Sequence, residues 1–479
     1  MDDLFGDVGE VLEETDLGEV AAPVHPMLLS PSSSASGYTR NAGHSGSPLS
    51  ASFLSTTNSS SSHVPAQSKL TVADEHSSAS SASSSHGEET VLPPFPSSAG
   101  SFPAPNVDEV VHIPGVTDDR FSELEAGAST DHSHADSRVL ILNTGGTLSM
   151  QRDPESGRYV PKANFLESYI RNHPSFTSQT LPSFHVYEYS PLLDSSDVNA
   201  TQWIQLARDV ERHYADYDGF VILHGTDTLA YSATALSFAL CNLAKPVIVT
   251  GAQIPIQQPI NDAVQNLAGA LFIAGNFDIC EVCVFFHNNL MRGNRVSKID
   301  NWGVHEAFSS PAFPCLGRMG LEFELNTSIL QHPPKGRLRI SGVFSSLVSV
   351  LHMVPGFSDH ILANMLQPPL RGLVLRTYGS GNMPREPSLI SAIASAVKRG
   401  VVVVVTSQCI RGRVDLERYQ TSKALVEAGA ISGYDMTVEA AAVKLSYLIG
   451  KGLDPSVIRQ AMQKDLRGEM SFKPQAVAR

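Results

Sequence analysis

The sequence predicts an α/β protein: a larger domain with a mostly parallel, doubly wound sheet, then a smaller α/β domain, both preceded by a disordered tail. Three observations carry that expectation. Short apolar runs alternate with helical patterns from Arg138 onward, which is the pattern of a parallel sheet covered on both faces. The rhythm breaks over residues 303–343, rich in Gly and Pro, and resumes at Val348. Residues 1–137 are low-complexity and hold 29 serines. The expected divisions are therefore 1–137, 138–344 and 345–479.

The tail accounts for the charge. The whole chain carries a formal −14, yet residues 1–137 hold 20 Asp+Glu against Arg40, Lys69 and Arg120, a net −17. The remaining residues hold 28 acidic and 31 basic side chains, a net +3. Such a tail buries too little apolar area to offset its ordering entropy, so disorder is expected. In Met1–Val20, Leu4, Phe5, Val8, Val11 and Leu12 fall at helical spacing. That pattern suits a short helix docking on an unknown partner, with a frayed terminus as the plainer reading.

Several function classes are excluded. No Lys/Arg run marks a nucleic-acid face, and no apolar run reaches the roughly 18 residues of a membrane span. The start, Met-Asp-Asp-Leu-Phe-Gly-Asp, is acidic where a targeting presequence is basic. Five scattered cysteines do not make a disulfide framework, so a cytoplasmic location is expected. Cys280 and Cys283 match C-x-x-C in a stretch, 278–287, that reads as a strand. Alternation there sends the two thiols to opposite faces, unlike a redox pair. Among 17 histidines no H-x-x-x-H spacing suggests a metal. No G-x-G-x-x-G or P-loop suggests a nucleotide, so no cofactor is expected.

Expected strands are 139–142, 184–189, 220–223, 247–250 and 282–286, with helices at 200–217, 228–242 and 262–274. In the second domain the expected strands are 348–354, 373–377 and 401–406. Helices are expected at 359–366, 389–399, 423–428, 438–449 and 455–466.

Open parallel sheets bind ligands beyond the carboxyl ends of their strands. Four strand exits are polar there: Thr144-Gly145-Gly146-Thr147, Pro191 to Asp197, His224-Gly225-Thr226-Asp227-Thr228, and Arg292 to Lys298. Taken singly, the first is a common strand-end loop whose glycines permit a tight turn. The third is ordinary helix capping by Thr226 or Asp227, with His224 a hydrogen-bonded structural residue. Together they make a pocket.

Thr-Gly-Gly-Thr and His-Gly-Thr-Asp-Thr, both at strand ends, form a specific pair. With them the sequence resembles the bacterial-type L-asparaginases, and more closely their cytosolic type I branch. Met150-Gln151-Arg152, Asp194-Ser195-Ser196-Asp197, Arg292-Gly293-Asn294-Arg295 with Lys298, Ser407-Gln408-Cys409 and Asp435-Met436-Thr437-Val438-Glu439 extend the resemblance over 138–479. It implies the two-domain asparaginase fold and hydrolysis of L-asparagine. It also implies Thr147 as nucleophile, Tyr159 on a nearby loop as its helper, and Thr226, Asp227 and Lys298 as a second catalytic group. Asp194, Ser195 and Ser196, with Thr226 and Asp227, would bind the substrate's α-carboxylate and α-amine. No metal is implied. A homodimer or homotetramer is, with the C-terminal domain closing the neighbour's pocket; Asn382 resembles a family loop residue that reaches it. Some type I members bind regulatory asparagine near the cysteine that Cys409 resembles.

The chemistry is coherent with these residue types. A threonine hydroxyl needs a neighbour to take its proton, and a zwitterionic substrate needs one acid and several donors. The expected route is attack on the side-chain amide, loss of ammonia and hydrolysis of a β-aspartyl ester. One alternative is the ammonia-supplying subunit of a tRNA-dependent amidotransferase, which calls for a folded barrel where the serine-rich tail stands. Another is an inactive scaffold with an interaction tail, disfavoured because every catalytic position holds the right residue type.

Overall fold

The computed structural model describes residues 137–304 and 306–472. The expectations for residues 1–136, including a helix in Met1–Val20, lie outside the described residues. The first domain is built on eight strands: β1 Arg138–Gly145, β2 Ser183–Leu193, β3 Gly219–Leu223, β4 Val247–Thr250, β5 Val282–Phe286, β6 Asn289–Arg292, β7 Gly317–Met319 and β8 Phe323–Leu325. Their order across the sheet is β8-β7-β6-β5-β4-β3-β1-β2. The five strands from β2 through β5 run parallel, and β6, β7 and β8 add antiparallel.

The central strands are apolar throughout because both faces are covered. Leu140 and Leu142 of β1, with Phe220 and Ile222 of β3, pack against Leu206, Val210, Leu229 and Leu236. These come from the helices Ala200–His213 and Leu229–Ala239. The intervening Val139, Ile141, Val221 and Leu223 pack on the other face against Leu166, Ile170, Leu267 and Leu271, from helices Leu166–Asn172 and Ala263–Asn276. Asn199 caps the Ala200–His213 helix in a reciprocal capping box with Gln202.

The second domain has a four-stranded parallel sheet of β9 Val348–His352, β10 Gly372–Thr377, β11 Val402–Ser407 and β12 Ile431–Ser432, in that order. It docks through the Leu229–Ala239 helix, which is buried nearly all round. Ala235 and Phe238 leave the first domain's core to join Val374, Val402 and Leu445, and Phe238 stacks on Tyr447 with centroids 5.4 Å apart. Burying Phe238 this way is worth about 1.5–3 kcal/mol. A helix buried by two domains needs no charged face, and this one carries no charged residue; its Thr234 and Ser237 hydroxyls donate to Ala230 O and Ala233 O within the helix.

Four expectations are corrected. The 303–343 stretch is not all connection, since β7 and β8 lie within it and extend the large sheet. Strands of three residues interrupted by Gly are too short to show a period. The hairpin Met150–Arg152/Tyr159–Pro161 and the Leu166–Asn172 helix were not expected. The strand around Cys280 begins only at Val282, although both thiols are packed separately and free. Finally, Arg292 does not follow β5 at its carboxyl end. The β5–β6 hairpin turns the chain back, so Arg292 pairs with Cys283 near the start of β5.

Candidate active site

The strand order β2-β1-β3-β4-β5 reverses direction between β1 and β3. The connection leaving β1 runs to the Leu166–Asn172 helix on one face and the connection leaving β3 to the Leu229–Ala239 helix on the other, which opens a crevice beyond their carboxyl ends. Thr144–Thr147 and His224–Thr228 sit there. Thr144 Oγ1 donates to Leu223 O at 2.8 Å, tying the first loop to the end of β3.

Glycines let these loops press together. A Cβ on Gly146 would lie 2.5 Å from Gly225 Cα. One on Gly225 would lie 2.5 Å from Ser195 Oγ, and one on Gly145 would lie 2.4 Å from Leu193 O. Three strand exits are thus stacked at backbone contact, and side chains larger than hydrogen are excluded. Gly146 also takes φ 87°, ψ 176° as the N-cap of the turn Thr147–Ser149, a conformation open essentially to glycine alone. Thr147 is held half-buried on that turn.

Lys298 reaches the second loop from the strand pair Ser297–Lys298/Phe308–Ser309. Its Nζ donates to Thr226 Oγ1 at 2.9 Å and to Asp227 Oδ1 at 2.7 Å. The lysine side chain is 16% exposed and that of Asp227 69%, so Asp227 keeps most of its surface open to a ligand. An ion pair this exposed adds little to stability, and its value lies in placing the amine. Thr226 Oγ1 donates in turn to Gln253 Oε1 at 3.2 Å.

Of the five residues expected to grip substrate, Thr226 and Asp227 lie on Lys298; Ser195 is buried against Gly225, and its carbonyl accepts from Thr228 Oγ1 at 2.6 Å. Asp194 accepts from Ser196 N at 2.9 Å and Ser196 Oγ at 2.7 Å. Those bonds hold its carboxyl below the usual carboxylate range. Asp194 and Ser196 therefore fold the turn that presents Ser195. Tyr159 is exposed on the hairpin, where its hydroxyl accepts from Gln258 Nε2 at 3.2 Å.

His224 is structural. Its Nδ1 is 2.8 Å from Gly225 O and its Nε2 2.9 Å from Ser232 Oγ, while Ser232 Oγ accepts from Trp203 Nε1 at 2.9 Å. Facing a carbonyl oxygen, Nδ1 must carry the proton, which leaves Nε2 of the neutral ring to accept from Ser232 Oγ. Burial pushes the imidazole below its ordinary value.

Arg292, Asn294 and Arg295, expected at the pocket, turn away from it. Arg292 pairs with Glu281 at 2.5 Å and Arg295 with Asp435 at 3.1 Å. Asn294 Nδ2 donates to Arg467 O at 2.8 Å and Arg295 Nε to Gly468 O at 2.6 Å. They clasp the C-terminal segment, and of that stretch Lys298 alone touches Thr226 and Asp227. Beside Lys298 a cavity of 240 Å³ runs between the domains, with Ser297, Arg376, Cys409 and Glu439 in its wall. Ser297 Oγ donates to Glu439 Oε2 at 2.9 Å, and burial raises the Glu439 carboxyl. Among the described residues, no group of His, Cys, Asp and Glu could hold a metal ion, and no helix is long and apolar enough to cross a membrane.

Gln253 is the site residue the sequence reading missed. It lies in Thr250-Gly251-Ala252-Gln253, the exit of β4. A glycine and a polar side chain at that fifth strand end were the available signal.

Known proteins bear out the fold and the kinship. Residues 138–331 match the family model described as asparaginase, N-terminal, and residues 347–462 match the glutaminase/asparaginase C-terminal domain. The chain is 44% identical over 334 residues to L-asparaginase 1 of Escherichia coli, covering 70% of this chain and 98% of that one. It is 40% identical over 357 residues to the 60 kDa lysophospholipase of Mus musculus, covering 70% of this chain and 63% of that one. The crystal structure of L-asparaginase I from Vibrio cholerae superimposes with a TM-score of 0.65 at 42% identity, covering 70% of this chain and all of that one. With both family domains matched in order and a crevice built from their first one, the chain belongs to the asparaginase family.

Proposed function

We propose that this chain is an L-asparaginase, hydrolysing L-asparagine to L-aspartate and ammonia through Thr147. The observation that carries this reading is the Lys298–Thr226–Asp227 cluster, with the Thr147 loop seated on Gly225 beside it. The Thr147 hydroxyl attacks the side-chain carbonyl, and its proton passes to the departing nitrogen. The C–N bond breaks, ammonia leaves and a β-aspartyl ester remains. Water then adds to that ester, a proton returns to the threonine oxygen, and aspartate is released. Thr226, held by Lys298, orients the reacting hydroxyl and water while that proton moves, and Tyr159 assists from the hairpin. Asp227 takes the α-amine, while Asp194, Ser195 and Ser196 shape the α-carboxylate site.

Hydroxyls, a carboxylate and an ammonium around Thr147 suit a zwitterion better than a fatty acyl chain. Kinship over 98% of a free-standing asparaginase favours free asparagine over service as an amidotransferase subunit. The same kinship supports a cytoplasmic homodimer or homotetramer, with domains divided near residue 344.

Ammonia release from L-asparagine by wild type, Thr147→Ala and Lys298→Met tests the mechanism. Each substitution is expected to cost about 10³-fold or more in kcat. Equal activity in all three proteins would refute the mechanism, and an inactive wild type would favour the scaffold. L-Glutamine is expected to be the poorer substrate, and an equal kcat/KM for the two would overturn that preference.

A further inference from the structure

We propose that Gln253 is a positioning residue for this reaction, fixing the Thr226 hydroxyl so that it offers a free lone pair to the attacking group. The inference rests on the asparaginase reading and extends it to a residue outside the nucleophile and lysine groups. A lysine ammonium is a donor only, and a threonine hydroxyl has one proton and two lone pairs. Lys298 Nζ, at 2.9 Å, occupies one lone pair of Thr226 Oγ1. The hydroxyl proton must point elsewhere, and Gln253 Oε1 receives it at 3.2 Å. The second lone pair is then left to accept a hydrogen bond from the Thr147 hydroxyl or from the hydrolytic water, orienting that O–H while its proton passes to the departing nitrogen or returns to the threonine oxygen.

The amide is oriented for this by its other end. Gln253 Nε2 donates to Asp300 O at 3.3 Å, two residues beyond Lys298, which assigns Oε1 to the Thr226 side. The backbone beneath it is fixed as well. Gln253 N and Ile254 N donate to the two carboxylate oxygens of Asp262 at 2.9 and 3.0 Å, and Asn266 Nδ2 donates to the same carboxylate at 3.3 Å. Gly251 lets the strand exit close on His224, since a Cβ there would lie 2.4 Å from His224 O. Gln253 therefore braces Thr226 from one side and the chain after Lys298 from the other. Without the amide, the Thr226 proton is free to swing into the pocket, where it blocks the lone pair that must accept.

The test compares wild type, Gln253→Met and Gln253→Glu for kcat, KM and the pH dependence of kcat with L-asparagine, scaled to folded protein by near-UV circular dichroism. Gln253→Met keeps the side chain's length without its acceptor. It is expected to lower kcat about ten- to hundredfold, with KM within about threefold and a displaced pH profile. Gln253→Glu restores an acceptor facing Thr226 and is expected to recover part of the lost kcat. Wild-type kcat and pH profile in Gln253→Met would overturn the inference while leaving the asparaginase reading intact. So would a rise in KM alone, which would make Gln253 a substrate contact, or equal losses in the two variants. A wild type inactive on asparagine would overturn the functional reading, and this role with it.

Discussion

Gly146→Ala is a severe test of the site, because the added atom is one methyl group and its surroundings are known. Gly146 adopts φ 87°, ψ 176°, where a side chain costs about 1–3 kcal/mol in backbone strain alone. The new Cβ would also lie 2.5 Å from Gly225 Cα, 2.6 Å from Gly225 N and 3.0 Å from His224 C. All three are backbone atoms and cannot rotate away. Restoring ordinary carbon–carbon contact requires the two loops to part by about 1 Å. Thr147 rides on one loop and Thr226 on the other, and a displacement of that size costs on the order of 10²-fold in rate. Gly452→Ala is the control: Gly452 also has positive φ, +70°, but nothing lies within 4 Å of its Cβ position. That variant should lose about 1–2 kcal/mol and keep its turnover. The assay is ammonia release at saturating asparagine, with urea unfolding run in parallel. A Gly146→Ala enzyme within about threefold of wild-type kcat would refute the claim that loop contact sets the catalytic geometry.

Three further outcomes are expected. His224 is held neutral, with its folded titration below the ordinary 6.5, so on acidification below that value the unfolded chain takes up a proton the folded one refuses. Stability should therefore fall as pH drops below about 6.5, by at most about 1.4 kcal/mol per pH unit from this group. His224→Gln should remove that share, and an unchanged difference between unfolding free energies at pH 5 and 7 would refute it. Lys444 and Glu469 pair at 2.5 Å with both side chains fully buried. Lys444→Met should cost about 3–5 kcal/mol by stranding a buried carboxylate, and a loss under about 1 kcal/mol in urea titration would contradict this. Removal of residues 1–136 should leave asparagine turnover intact provided Ser137 stays, because its carbonyl accepts from Ser183 N at 3.0 Å and Ser183 Oγ at 3.1 Å. Lost turnover in that truncation would give the tail a part in the enzyme.

What the sequence disclosed follows from how each part is buried. Central strands such as Val139–Leu142 and Phe220–Leu223 are apolar on both faces and stand out as continuous runs. The glycine-bearing exits after them are legible for the same reason, because they interrupt those runs. Three kinds of feature were hidden. The short edge strand Gly317–Met319 takes its pairing from β6, Phe323–Leu325 takes its own from Gly317–Met319, and neither leaves a period. The β5–β6 hairpin folds the chain back through Asn289, so distance along the chain from a strand end misplaced Arg292 and Arg295. Gln253 owes its role to partners at sequence separations of 27 and 47 residues, a relation no local pattern carries.

The Arg292–Lys298 stretch shows why a motif that accompanies a function need not perform it. Arg295 is 1% exposed and Asp435 9%, and a pair so deeply desolvated returns little net stability. What it does return is geometry. Arg295 Nη2 donates to Ser471 Oγ at 2.8 Å, while Asp435 Oδ1 accepts from Ser471 N at 2.7 Å, so one serine is gripped by both charges. Arg295 Nε and Asn294 Nδ2 hold the neighbouring carbonyls of Gly468 and Arg467. Three residues further on, Lys298 enters the pocket from a strand of two residues, far too short to fix an amine by itself. Its precision is borrowed from the clasp before it and from Gln253, which holds the Asp300 carbonyl after it. The residues of this stretch are thus one lysine at the proposed active site and the anchors that make its position reproducible.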